Sequence, residues 1–121
     1  MGSLRKNDMT VIPCSYDISS ERLERVRELS RGDFKDVISI FKVLSDSTRL
    51  KILRMLEGES LCVCVFVEVL GCRYSALSYH LKLLKEVGLI DCRREGNFLI
   101  YCLTGRGREV LKRIDEIEDL M

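Results

Sequence analysis

Two thiols separated by one residue, Cys62 and Cys64, carry the sharpest chemistry in this 121-residue chain. Cysteine sulfur, ionised to thiolate, suits soft, thiophilic ions, and a place at a helix start helps it ionise. Four further cysteines, Cys14, Cys72, Cys92 and Cys102, are spread along the chain. After the pair an apolar run continues to Leu70, a turn follows at Gly71-Cys72-Arg73, and the next stretch has one polar face: Tyr74, Ser75, Ser78, Tyr79, Lys82 and Lys85. Hydroxyls and ammonium groups on one side of a helix reach base edges and phosphates, which is the chemistry of DNA reading. Arg73 precedes that face, and Arg93, Arg94 and Asn97 flank Gly96, where a tight turn presents cations to a phosphate backbone. Enzyme signatures are missing from the sequence: there is no glycine-rich phosphate loop, no nucleophile beside a base and no paired acids in a pocket-like context.

Composition narrows the context. With 46% hydrophobic and 32% charged residues, one Pro and no Trp, the chain reads as helix-rich and globular rather than disordered. Net charge is only +1, so bulk charge is no argument for nucleic acid. Its distribution is, because Asp115, Glu116, Glu118 and Asp119 gather acid at the C-terminal end and leave the middle comparatively basic. Six cysteines without a cleavable signal peptide at the N-terminus point to the reducing cytoplasm. The longest apolar run, residues 61–67, is far shorter than the roughly 20 residues a bilayer crossing needs. A soluble protein with no membrane partner is expected.

The elements that must position these groups follow from periodicity and caps. Residues 1–18 have no hydrophobic period and are expected to form a flexible arm ahead of a single domain over residues 19–121. Ser19 or Ser20 caps a helix with Leu23, Val26 and Leu29 at helical spacing, and Gly32 ends it. Asp33 caps a second, with Phe34, Val37, Ile38, Phe41 and Leu44 on one face. Ser45-Asp46-Ser47 caps a third over residues 48–56, with Leu50, Ile52, Leu53 and Leu56 inward and Arg49, Lys51 and Arg54 outward. Residues 61–70 suit a buried strand as well as a buried helix. Residues 75–87 form a helix with Leu77, Leu81, Leu84 and Val87 inside. Residues 89–94 and 98–103 read as a β-hairpin around Glu95-Gly96-Asn97, on which Cys92 and Cys102 are expected to face each other. Thr104 caps a last helix, with Val110, Leu111, Ile114, Ile117 and Leu120 or Met121 on an apolar face that needs a second subunit to cover it. The predicted fold is mainly α (α+β): a winged helix-turn-helix with a two-stranded β-hairpin wing and terminal helices, around residues 20–44 and 105–120, forming a dimer interface.

Four motifs in this order, Leu44-Ser45-Asp46-Ser47-Thr48-Arg49-Leu50-Lys51-Ile52-Leu53, Leu61-Cys62-Val63-Cys64, Ser75-Ala76-Leu77-Ser78-Tyr79-His80-Leu81-Lys82-Leu83-Leu84 and Gly88-Leu89-Ile90 with Arg93-Arg94-Glu95-Gly96, resemble the ArsR/SmtB family of metal- and metalloid-responsive repressors over residues 34–111. The resemblance implies a homodimer that binds double-stranded operator DNA and releases it when a thiophilic ion binds. Cys62 and Cys64 match the family's Cys-Val-Cys site for arsenite, antimonite, cadmium or lead, the ion acting as inducer and not as an obligatory folding cofactor. Val65 stands where relatives often have Asp, and Val67 where some arsenite sensors have a third Cys. Cadmium- and lead-sensing relatives recruit an N-terminal Cys, which makes Cys14 the leading third ligand. The C-terminal zinc site of other relatives needs His on the last helix, and the only His here is His80. His80 matches a family position and is assigned a structural hydrogen-bonding role. Residues two apart on a regular helix point about 200° apart, so Cys62 and Cys64 share an ion only where the helix start is not helical. The alternative is a thiol-redox regulator of the same fold using Cys14, Cys72, Cys92 or Cys102.

Overall fold

The computed structural model describes residues 16–121, so Cys14 and most of the expected arm lie outside the described residues. The chain divides into two units, Met1–Phe34 and Lys35–Met121. In the first, Ser19 caps α1 (Ser20–Ser30), its hydroxyl accepting the Arg22 N–H at 3.2 Å, while Arg31 reaches back to Glu24 at 3.2 Å. Val26 and Leu29, the apolar stripe of that helix, are exposed.

The second unit runs α2 (Lys35–Leu44), α3 (Ser47–Met55), β1 (Leu61–Cys62), α4 (Val63–Leu70), α5 (Tyr74–Glu86), β2 (Ile90–Glu95), β3 (Phe98–Leu103) and α6 (Gly105–Leu120). Phe34, expected as the first apolar residue of α2, precedes that helix with φ of 42°. The Asp46 carboxylate accepts the Arg49 N–H at 3.1 Å and starts α3. The ambiguous run 61–70 resolves by splitting, since Leu61 and Cys62 pair with Tyr101 and Ile100 and only then does the helix begin. The wing therefore has three antiparallel strands in the order β1-β3-β2. Glu95 belongs to β2, leaving Gly96 (φ 61°) and Asn97 as a two-residue turn whose left-handed backbone glycine adopts without penalty.

Leu77, Leu81 and Leu84 of α5 enter one core with Ile52 and Leu53 of α3, Phe66 of α4 and Ile90 of β2. Each such side chain contributes roughly 1.5–3 kcal/mol by leaving water. Thr104 pins α6 to that core: its hydroxyl donates to the Gly88 carbonyl at 2.6 Å and accepts the Gly107 N–H at 2.9 Å. Gly107 is buried against the Leu89 carbonyl, an approach that leaves no room for a Cβ.

Two further expectations are overturned. Cys92 pairs with Tyr101, and Cys102 with Asp91, so the two cysteines lie on opposite faces of the hairpin. Arg49 turns inward, its side chain 12% exposed. Among the described residues no helix is long and apolar enough to cross a membrane.

Candidate nucleic-acid interface and thiol pair

α4 and α5 are joined by Gly71, in the left-handed region at φ 64°, and by Cys72 and Arg73. Burying Leu77, Leu81 and Leu84 forces the opposite side of α5 outward, and Tyr74, Ser75, Ser78, Tyr79, Lys82 and Lys85 are all exposed there. Arg73 occupies the N-cap position and is exposed as well, without a side-chain cap to the helix. The first N–H groups of α5 thus remain open beside a guanidinium, an arrangement that favours anions. Lys82 leans toward Glu86 at 3.8 Å, an exposed pair that holds the ammonium only weakly.

On the wing, Arg93, Arg94 and Asn97 are exposed. They are not equivalent, because Arg93 bonds Glu95 at 2.7 Å whereas the Arg94 side chain has no hydrogen-bond or ion-pair partner among the described residues. Between helix and wing lies an open cleft of about 430 Å³ lined by Ser78, Leu81, Lys82, Lys85, Glu86 and Tyr101. Burial, with Cys92 alongside, pushes the Tyr101 hydroxyl up to about 12, so it stays a neutral donor at ordinary pH. Tyr101 was not singled out by sequence, where it is one apolar-run residue among several; its register opposite Leu61 and Cys92 is the missing signal.

Arg49 ties α5 to the end of α2. Its Nε donates to the Val43 carbonyl at 2.6 Å and its Nη1 meets His80 Nδ1 at 3.1 Å. A guanidinium only donates, so His80 Nδ1 is the acceptor in this contact. The structural role expected of His80 is thereby realised, and Arg49, placed outward by periodicity, is its partner.

The thiol pair owes its geometry to the strand–helix junction. Cys62 closes β1 and is the N-cap of α4, with extended backbone at φ −71° and ψ 148°, while Cys64 lies inside the first turn. The extended residue turns its side chain toward the helix, so the two sulfurs sit 3.0 Å apart, with the Cys64 thiol donating to Cys62. That bond and the Cys64 backbone N–H hold Cys62 below the usual thiol range, whereas keeping its proton in the same bond raises Cys64. Cys64 is exposed and Cys62 half-buried. Two thiolates sharing one ion at 2.3 Å bonds and a tetrahedral angle have sulfurs about 3.8 Å apart, so the pair fits after a small opening. Among the described residues no three Cys, His, Asp or Glu groups stand close enough to complete a metal site. Cys72, Cys92 and Cys102 supply no third sulfur as they stand.

Comparison with known proteins gives the same picture. A family model described as "Bacterial regulatory protein, arsR family" matches residues 46–91. A cadmium resistance regulatory protein CadC homolog of Staphylococcus aureus is 38% identical over 89 residues, 71% of this chain and 73% of that protein. A putative arsenical resistance operon repressor ArsR of Halobacterium salinarum is 34% identical over 104 residues, 81% of each chain. Among solved structures, the homodimeric winged helix-turn-helix DNA-binding domain Mb0332 of Mycobacterium bovis superposes with a TM-score of 0.65 at 26% identity, over 74% of this chain and 89% of that one.

Proposed function

Since the chain belongs to the ArsR family of transcriptional repressors, we propose that it is a cytoplasmic homodimer released from double-stranded operator DNA by arsenite, antimonite or a soft divalent metal at Cys62 and Cys64. The observation that carries this reading is the 3.0 Å sulfur pair at the start of α4, one helix ahead of the reading helix. Tyr74, Ser75, Ser78, Tyr79, Lys82 and Lys85 face the major groove, Arg73 meets phosphate at the α5 N-terminus, and Arg93, Arg94 and Asn97 hold the flanking backbone. Cys14 completes the thiolate set. The exposed faces of α2 (Val37, Ile38, Phe41) and α6 (Ile117, Leu120) are covered by the second subunit, spacing two reading helices roughly 34–36 Å apart.

A bound soft ion supplies metal–sulfur bonds in place of the thiol hydrogen bond. Cys62 belongs to the wing sheet and Cys64 to α4, so a change in their separation larger than side-chain torsions absorb moves the helix against the wing. Phe66, one turn on, packs edge-to-face on Tyr101 at 6.4 Å, and Gly71 leads from the end of α4 toward α5. Motion at the thiols thus reaches the reading surface through packed groups. Release requires only that free and DNA-bound conformations differ in ion affinity.

The test is titration of cadmium and of arsenite into a fluorescently labelled operator complex. Wild type should release DNA, Cys62→Ser and Cys64→Ser should stay bound, and Cys14→Ser should need more ion. Release of the double Cys62→Ser/Cys64→Ser variant at wild-type ion concentrations would reject the site.

A further inference from the structure

We propose that Cys62 and Cys64 also form a hydroperoxide-sensitive dithiol, closing to a disulfide that withdraws both sulfurs from the ion. Within one regular helix residues two apart diverge by about 200°, and no disulfide joins them. Here the first cysteine is outside the helix, and the sulfurs are already 3.0 Å apart. A disulfide bond is about 2.05 Å long, so roughly 1 Å of further approach through side-chain torsions closes it. Cys64 is exposed and can be reached by a small oxidant. Competing pairings inside the hairpin are disfavoured, because Cys92 and Cys102 point to opposite faces.

The chemistry balances with a hydroperoxide as oxidant. One sulfur of the pair, as thiolate, attacks the terminal peroxide oxygen; an S–O bond forms, the O–O bond breaks, and the alkoxide leaves and takes the proton that thiol gave up, departing as an alcohol. The other sulfur then attacks the sulfenic sulfur, an S–S bond forms, and the hydroxyl departs with the second thiol proton as water. Two thiols and one hydroperoxide give one disulfide, one alcohol and one water. The closure stands on geometry alone; its consequence, a repressor deaf to its inducer until reduced again, rests on the function proposed above.

The full-length reduced protein is treated with hydrogen peroxide, alkylated, and cut with trypsin and glutamyl endopeptidase, which isolates fragment 60–68 with only these two cysteines. The fragment should lose two hydrogens and resist alkylation until a thiol reductant is added, and in each of Cys62→Ser and Cys64→Ser dimedone should trap a sulfenic acid on the cysteine that remains. The oxidised protein should bind cadmium roughly tenfold or more weakly than the reduced protein, with recovery on reduction. Full alkylation of both cysteines in fragment 60–68 after peroxide, or unchanged cadmium binding by the oxidised form, overturns the proposal. The two readings fail separately: a reduced protein that keeps its operator in the presence of ion, while fragment 60–68 still oxidises, sinks ion sensing and leaves the dithiol.

Discussion

Replacing Arg49 with Met is expected to loosen the reading helix without removing any DNA contact. The guanidinium is 12% exposed and makes two strong bonds, 2.6 Å to the Val43 carbonyl at the end of α2 and 3.1 Å to His80 Nδ1 on α5. Its 4.0 Å approach to the Asp46 carboxylate adds little. Hydrogen bonds to charged groups are worth about 1.5–3 kcal/mol each. Methionine keeps the aliphatic packing, and both bonds are only part-buried, so the sum is discounted to roughly 2–3 kcal/mol. For a domain of this size that lowers Tm by roughly 10–20 °C, read by calorimetry at fixed protein concentration because a dimer's Tm depends on it. Operator affinity should fall as α5 loses its backing, yet the slope of log affinity against log salt should stay at the wild-type value, since no phosphate contact is lost. Arg94→Ala is the contrast: little change in Tm, and a slope reduced by about one unit per site. A stable Arg49→Met protein, or one whose salt slope drops like that of Arg94→Ala, would refute the buried-bridge account.

Asp46→Ala should cost about 1 kcal/mol at neutral pH as α3 loses its cap. The Arg49 N–H bonded to it holds the Asp46 carboxyl below its ordinary 3.8, so its stabilisation is present above that value and fades as pH falls through the lower folded one. Urea unfolding should therefore show the gap between wild type and Asp46→Ala narrowing in acid, and a constant gap would contradict the assignment. Gly107→Ala should be severe, roughly 3 kcal/mol or more, because the Leu89 carbonyl occupies the space of the new methyl; a thermal melt within 2–3 °C of wild type, on the order of the scatter between preparations, would mean that α6 docks differently.

The sequence by itself determined whatever depends on neighbours a few residues apart. Ser19, Asp46 and Thr104 cap the helices assigned to them, because a side-chain oxygen finds its own first-turn N–H wherever the rest of the chain goes. Leu77, Leu81 and Leu84 are buried and the face from Tyr74 to Lys85 exposed, since helical spacing alone separates the two. The tertiary structure decided what depends on partners far along the chain. Whether residues 61–70 were strand or helix was undetermined locally, and β3 settled it by pairing with Leu61 and Cys62 and no further. That pairing takes Cys62 out of the helix and brings two thiols together that helical spacing would hold apart. A one-residue register on β2 sent Cys92 and Cys102 to opposite faces, and an acceptor 31 positions away, His80, drew Arg49 inward against its periodicity. Strand register and buried polar pairing are chosen by the whole core, which is why no local pattern announces them.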